Sequence, residues 1–343
     1  MRRIVDTALG GIMALSLFGC GAHQVGSAHE PQVARETTTR FDNSQECIAT
    51  LPQTGYSEAV PTGYLQPSSR PGTVERLDYS SLDYAGGGGA IDKVAYVYTP
   101  YGYDAGDANA RYDVVYLMHG WGGHAGEYFE MASIKDLLDN MIERGDIAPT
   151  IFVSATFYHA GSDGDFGSSV AELRAFHSDF ENHLMPAVEG AYRTYAKTTD
   201  AEGLAASRDH RAFGGFSLGA VTTWMAFCHD CDHIRYFLPM SGSCWYFGGY
   251  GDFQTERNVD LIQRLVAEHD LDRRGYLVWE GVGTADPVRE QTLMQMDEML
   301  SRDGAFPPEH LLFYQKRGGG HDFEAVREFM YNALPLFFQD TTA

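Results

Sequence analysis

Basic residues are scarce in this chain: 25 Lys and Arg stand against 47 Asp and Glu, a formal charge of −22. A surface of that sign repels nucleic acid and anionic lipid headgroups, so neither is an expected partner. No apolar run is long enough to span a bilayer as a mature helix. Cysteine is sparse, and the cluster Cys228-His229-Asp230-Cys231-Asp232-His233 has no second ligand pair at zinc-finger spacing, so no metal is expected. The glycine run Gly86 to Gly89 is followed by no phosphate-loop lysine and reads as a hairpin turn. There is no internal repeat and no sign of a second globular domain.

What is present begins with an export signal. Met1-Arg2-Arg3 precedes the short apolar run Ala8 to Phe18, which ends in Leu17-Phe18-Gly19-Cys20, similar to a bacterial lipobox. Residues 1–19 are therefore expected to be a lipoprotein-type signal peptide and Cys20 the lipidated first mature residue, the membrane being reached only through that anchor. Residues 20–70, rich in Ser, Thr, Pro, Gln and Gly without a sustained period, read as a tether. Residues 71–343 are the expected catalytic domain. The four remaining cysteines, Cys47, Cys228, Cys231 and Cys244, suit an oxidising compartment; three pairings are open, with Cys231 to Cys244 slightly favoured.

From Thr73 the pattern alternates between strands and helices. Strands are expected near 73–79, 93–99, 113–118, 150–155, 210–213, 234–240, 276–282 and 310–315, and helices near 128–144, 169–191, 220–227, 255–268, 288–302 and 323–338. Buried strands separated by helices predict a mostly parallel central sheet flanked by helices on both faces, the α/β class.

Chemistry concentrates at the ends of those strands. Gly215-Phe216-Ser217-Leu218-Gly219 has the form of a nucleophile elbow, a sharp strand-to-helix turn that needs small residues two before and two after the serine. A serine hydroxyl is a poor nucleophile at neutral pH and needs a base, itself oriented by a carboxylate. Asp286 follows the strand at 276–282 and His321 follows the strand at 310–315, in the order serine, acid, histidine. Asp252 and Asp322 are the alternative acids. The backbone N–H groups of Leu218 and of Trp121, within His119-Gly120-Trp121-Gly122-Gly123, are the expected oxyanion donors, with His119 bracing that turn. Trp121, Trp245, Tyr246 and Phe247 are candidate walls of the acyl pocket.

These motifs, with Gly283-Thr284-Ala285-Asp286, Gly319-Gly320-His321-Asp322-Phe323 and the opening Tyr98-Thr99-Pro100-Tyr101-Gly102-Tyr103, resemble those of the esterase-D-like α/β-hydrolases, in particular the secreted feruloyl and acetylxylan esterases. The resemblance covers roughly residues 73–338. It implies an α/β-hydrolase fold, Ser217, Asp286 and His321 as a triad, Trp121 and Leu218 as oxyanion hole, no cofactor, and an acylated carbohydrate or phenolic ester as substrate. Leu218 stands where relatives often carry Met and Phe323 where they often carry Trp, which leaves the acyl group open. Siderophore-ester hydrolysis and acyl transfer are the superfamily alternatives, and a lipid-anchored binding protein without turnover is the rival from another class.

Overall fold

The computed structural model describes residues 57–339 apart from 163, so the expected signal peptide, Cys20, Cys47 and most of the tether lie outside the described residues. Eight strands form one sheet: β1 (Thr73–Leu82), β2 (Ala90–Thr99), β3 (Asp113–Met118), β4 (Thr150–Ala155), β5 (Arg211–Phe216), β6 (Tyr236–Met240), β7 (Leu277–Gly283) and β8 (Leu311–Lys316). Their order across the sheet is β1-β2-β4-β3-β5-β6-β7-β8. The β1–β2 and β2–β4 pairs are antiparallel, and every pair from β4 through β3 to β8 is parallel.

Burial follows from that order. Strands β3 to β6 are buried along their whole length and read as continuous apolar runs, as strands covered on both faces must. Edge strand β1 alternates instead, and its exposed Glu75, Arg76 and Asp78 discourage pairing with another chain.

The helices are α1 (Glu127–Glu130), α2 (Ile134–Arg144), α3 (Phe166–Asp179), α4 (Met185–Ala191), α5 (Ala201–Ala206), α6 (Leu218–Asp230), α7 (Thr255–Glu268), α8 (Leu271–Arg274), α9 (Arg289–Leu300) and α10 (Phe323–Ala333). Two apolar layers cover the sheet. Leu173, Phe176, Val221, Trp224, Ile262 and Met296 build one from α3, α6, α7 and α9. Ile134, Leu138, Met141, Val326, Phe329 and Met330 build the other from α2 and α10. Helices on both faces of a mostly parallel sheet make this the α/β-hydrolase arrangement.

Several element boundaries differ from the sequence expectation, each for a local reason. The helix expected at 128–144 is interrupted by Ala132 and Ser133, whose positive φ angles of 51° and 56° break its hydrogen-bond ladder. The helix expected at 169–191 starts earlier because Asp165 caps it, accepting from the N–H groups of Gly167 and Ser168. It then passes through a π turn at Phe180–Leu184 before α4. Proline 335 closes the last helix early, in a 3-10 turn at Leu334–Leu336.

The end of the expected tether is also ordered against the domain. Ser57 exchanges hydrogen bonds with Asn332 (2.7 and 3.0 Å), Asn140 of α2 donates to the carbonyls of Tyr64 and Gln66, and Val60, Tyr64 and Leu65 pack on the second apolar layer. Those apolar residues sit in a polar stretch with no periodicity, so composition hid them.

The favoured Cys231 to Cys244 bridge is corrected. Cys228, Cys231 and Cys244 are buried free thiols, and the sulfur facing Cys244 is that of Cys228. Hydrogen bonding to Cys244 and burial push the Cys228 thiol well up. Cys231 falls just past the end of α6, where its carbonyl accepts from Arg208 at 2.7 Å.

Candidate active site

All the expected site loops leave carboxyl ends of parallel strands, so they meet on one rim of the sheet. Ser217 follows β5 at φ 59° and ψ −117°, a conformation that costs a non-glycine residue roughly 1–3 kcal/mol. Its small neighbours are obligatory. A Cβ on Gly219 would lie 2.0 Å from the Met118 carbonyl oxygen, and one on Gly215 would lie 2.4 Å from the Gly219 carbonyl oxygen.

The structure brings three of the expected side chains into one hydrogen-bonded line. The Nδ1–H of His321 donates to both carboxylate oxygens of Asp286 at 3.0 Å, and Nε2 stands 2.9 Å from Ser217 Oγ. Since an ionised carboxylate can only accept, Nδ1 carries the proton and Nε2 is left to receive the serine hydroxyl's hydrogen. Asp286 is buried and also accepts from the Val288 N–H at 2.8 Å, which holds the carboxylate in place. The ring of Phe216 lies 4.5 Å from that of His321 and backs the imidazole.

The alternative acids are engaged elsewhere. Asp322 caps α10 through the Ala325 N–H, and Asp252 accepts from Gln254. His119 is fully buried, and burial lowers its pKa to about 4, so it is neutral. Its Nδ1–H donates to the Gly120 carbonyl at 2.7 Å, which leaves Nε2 to accept from the Thr156 hydroxyl at 2.6 Å. The imidazole therefore ties the turn after β3 to the end of β4.

Beside Ser217 opens a cleft of about 400 Å³ of empty space, mouth included. Trp121, Phe166, Trp245 and Tyr250 supply its aromatic wall, Leu218, Val221 and Val288 its aliphatic part, and Ser241 and Gln291 its other polar groups. The rings interlock: Phe166 meets Trp121 at 5.5 Å, Tyr250 at 6.1 Å and Trp245 at 6.4 Å between centroids. Trp121 is pinned by its indole N–H, which donates to the Gly164 carbonyl at 3.0 Å. Leu218 is the first residue of α6, so its N–H has no partner inside the helix and belongs to the positive end of the helix dipole.

Of the expected wall residues, Trp121 and Trp245 line this cleft, whereas Tyr246 and Phe247 do not. The Tyr246 ring packs on His229 and Phe247 instead. Phe166, Tyr250, Ser241 and Gln291 were not singled out from sequence; they come from two helices and the connection between β6 and α7, with no shared period. A roomier groove, about 950 Å³ of empty space by the same measure, lies at the amino ends of β3 and β4 but holds no nucleophile and base. Chemistry, rather than size, marks the site.

Known proteins share this framework. The sequence profile described as "Putative esterase" matches residues 92–337. Endo-1,4-beta-xylanase Y of Acetivibrio thermocellus is 31% identical over 287 residues, which are 82% of this chain but 24% of that protein. The chain thus spans about a quarter of that relative's length. Among solved structures, a mutant feruloyl esterase module from Clostridium thermocellum complexed with sinapinate superposes with a TM-score of 0.70 at 30% identity, covering 83% of this chain and 96% of that one. A ferulic acid esterase from Anaeromyces mucronatus in complex with ferulic acid shares the fold, with a TM-score of 0.64 at 20% identity over 84% of this chain and 99% of that one.

Proposed function

The chain belongs to the putative-esterase family, and on that premise we propose that it is a carboxylic-ester hydrolase that cleaves feruloyl-type aryl esters of plant-derived carbohydrate through an acyl-enzyme. One observation carries this reading: a hydrogen-bonded serine, histidine and carboxylate open directly onto an aromatic-walled cleft. A flat phenolic acid fills such a slot, while an acetyl group would leave most of its apolar wall in water.

In the proposed cycle Ser217 Oγ attacks the ester carbonyl as His321 Nε2 takes its proton. The oxyanion accepts from the N–H groups of Leu218 and Trp121, both at the cleft. His321 then returns the proton to the leaving sugar hydroxyl, and Asp286 stabilises the imidazolium throughout. Water repeats the sequence on the acyl-enzyme and frees the acid. Trp121 has a double part, its main chain in the oxyanion hole and its side chain in the wall. Export rests on the Met1-Arg2-Arg3 and Ala8 to Phe18 segments, with Cys20 as the lipid anchor. No helix among the described residues is long and apolar enough to cross a membrane.

The test is a release assay on methyl ferulate, acetylated xylan and a catecholate siderophore ester, run side by side. Ferulic acid should be the dominant product, and Ser217→Ala should lower its release about 10^6-fold. Turnover of acetylated xylan alone would overturn the aryl-ester reading, and equal rates in the Ser217→Ala variant would leave only a binding protein.

A further inference from the structure

The buried thiols have no part in ester cleavage, and two of them face each other. Cys228 lies in the last turn of α6 and Cys244 in the connection between β6 and α7, both within one apolar layer. That connection runs along α6 from its start towards its end. At Gly242 the two backbones are so close that an added Cβ would lie 2.8 Å from that of Ala220, and at Tyr246 the ring packs 5.4 Å from that of His229. Cys244 falls between those two contacts, and its sulfur is hydrogen-bonded with that of Cys228.

The backbone on each side is fixed before any bond is made. The Cys244 N–H donates to Gln295 Oε1 of α9 at 2.6 Å, and the Cys244 carbonyl accepts from Asn258 Nδ2 of α7 at 2.8 Å. Cys228 is held by the helix itself. Two sulfurs placed this way by other contacts lose little further freedom on joining. Cys231 lies just past the helix end, where its carbonyl is bonded to Arg208, and leaves the facing position to Cys228. Both thiols are buried, so a bond between them would be shielded from reductants in the solvent.

We propose that Cys228 and Cys244 are a disulfide-forming pair, which in an oxidising compartment clamps the connection between β6 and α7 onto α6 while Cys231 stays a thiol. The inference takes the oxidising compartment from the export reading and nothing from the ester chemistry. The step needs a disulfide oxidant, either a thiol-exchange protein or oxidised glutathione. One cysteine, as thiolate, attacks the S–S bond of the oxidant, forming a mixed disulfide and releasing one oxidant thiol. The other cysteine then attacks the protein sulfur of that mixed disulfide and releases the second oxidant thiol. Two protein thiols are oxidised, one S–S bond of the oxidant is reduced, and the two protons pass to the released thiols. Since the thiolate is the attacking form and burial disfavours it, the exchange takes place before the core closes over the pair. The bridge stabilises by closing a short loop in the unfolded chain.

The full chain is unfolded in urea, refolded with oxidised and reduced glutathione until circular dichroism shows the fold restored, and then treated with iodoacetamide in denaturant. Cleavage before Asp230 parts Cys228 from Cys231, so mass mapping of the unreduced peptides tells the pairings apart. The Cys228 peptide should be linked to the Cys244 peptide, with Cys231 alkylated. The melting temperature should stand about 5 °C above that of a sample kept under a phosphine reductant. That gap should vanish in Cys228→Ala and persist in Cys231→Ala. Alkylation of both Cys228 and Cys244, or a link from either to Cys47 or Cys231, would overturn the proposal. Because the pairing is measured in a defined buffer, that result would leave export, read separately by cell fractionation, and ester cleavage, read by ferulic acid release, untouched.

Discussion

Among the described residues the sheet carries a histidine and aspartate pair at each end, and the one at the carboxyl end is hydrogen-bonded to a serine. At the amino end His210 Nδ1 lies 2.7 Å from Asp113 Oδ1, shorter than either contact between His321 and Asp286 at the carboxyl end. His210 stacks on Tyr195 with 3.5 Å between ring centroids, which occupies the face of the imidazole with packing. Burial pushes the Asp113 carboxyl up even with His210 beside it. The two couples are alike in chemistry and differ in their surroundings. A reactive constellation is therefore defined by what the second ring nitrogen meets, and strand direction decides that, since only the carboxyl rim presents the elbow.

The largest effect should come from breaking the histidine and aspartate pair at each end. Asp286→Asn should lower kcat by about 10^3- to 10^4-fold with little change in fold, because the amide no longer enforces the Nδ1–H tautomer. His210→Ala should keep the rate on methyl ferulate within about twofold and lower the melting temperature by a few degrees. Steady-state kinetics with thermal melts of both variants checks the contrast, and a large rate loss in His210→Ala would erase it. Next in size is Gly219→Ala, whose added methyl meets the Met118 carbonyl and displaces the elbow. It should cost about 2–3 kcal/mol of stability and about 10^2-fold in rate, with no counterpart at the amino rim.

The mildest test concerns a carboxyl between the two rims. Glu280 of β7 is fully buried, accepts from the Trp224 indole N–H at 3.2 Å, and is pushed well above its ordinary value of 4.5 by burial. The folded chain keeps this proton after the unfolded chain has lost it. Wild type therefore loses stability as pH rises above about 4.5, until the folded group ionises, at no more than about 1.4 kcal/mol per pH unit. Glu280→Gln does not titrate, so its melting temperature should gain on wild type between pH 5 and 8. A gap that stays constant across that range would contradict a neutral Glu280.

The side chains of the hydrogen-bonded line were legible because strand ends announce themselves locally: Ser217, Asp286 and His321 each lie just past a strand in a glycine-rich turn. The helix starting at Phe166 carried a local mark too, Asp165 in the N-cap position, although the glycine-rich surroundings argued for a loop. The cleft wall was not legible. Phe166 and Tyr250 lie far apart in sequence and in no repeating pattern, and only the convergence of loops brings their rings within 6.1 Å. Tyr246 was grouped with its neighbours Trp245 and Phe247 as one aromatic cluster, but its ring turns onto His229. Cysteine pairing failed for a comparable reason: whether Cys228 or Cys231 meets Cys244 depends on where α6 stops.

Trp121, Phe166, Trp245 and Gln291 reach the cleft from segments after β3, β4, β6 and β7 respectively. The panels come from separate connections yet touch one another, so exchanging one shifts the side chains beside it. The shape of the cleft is therefore a joint property of four connections, and the wall answers a substitution as one unit.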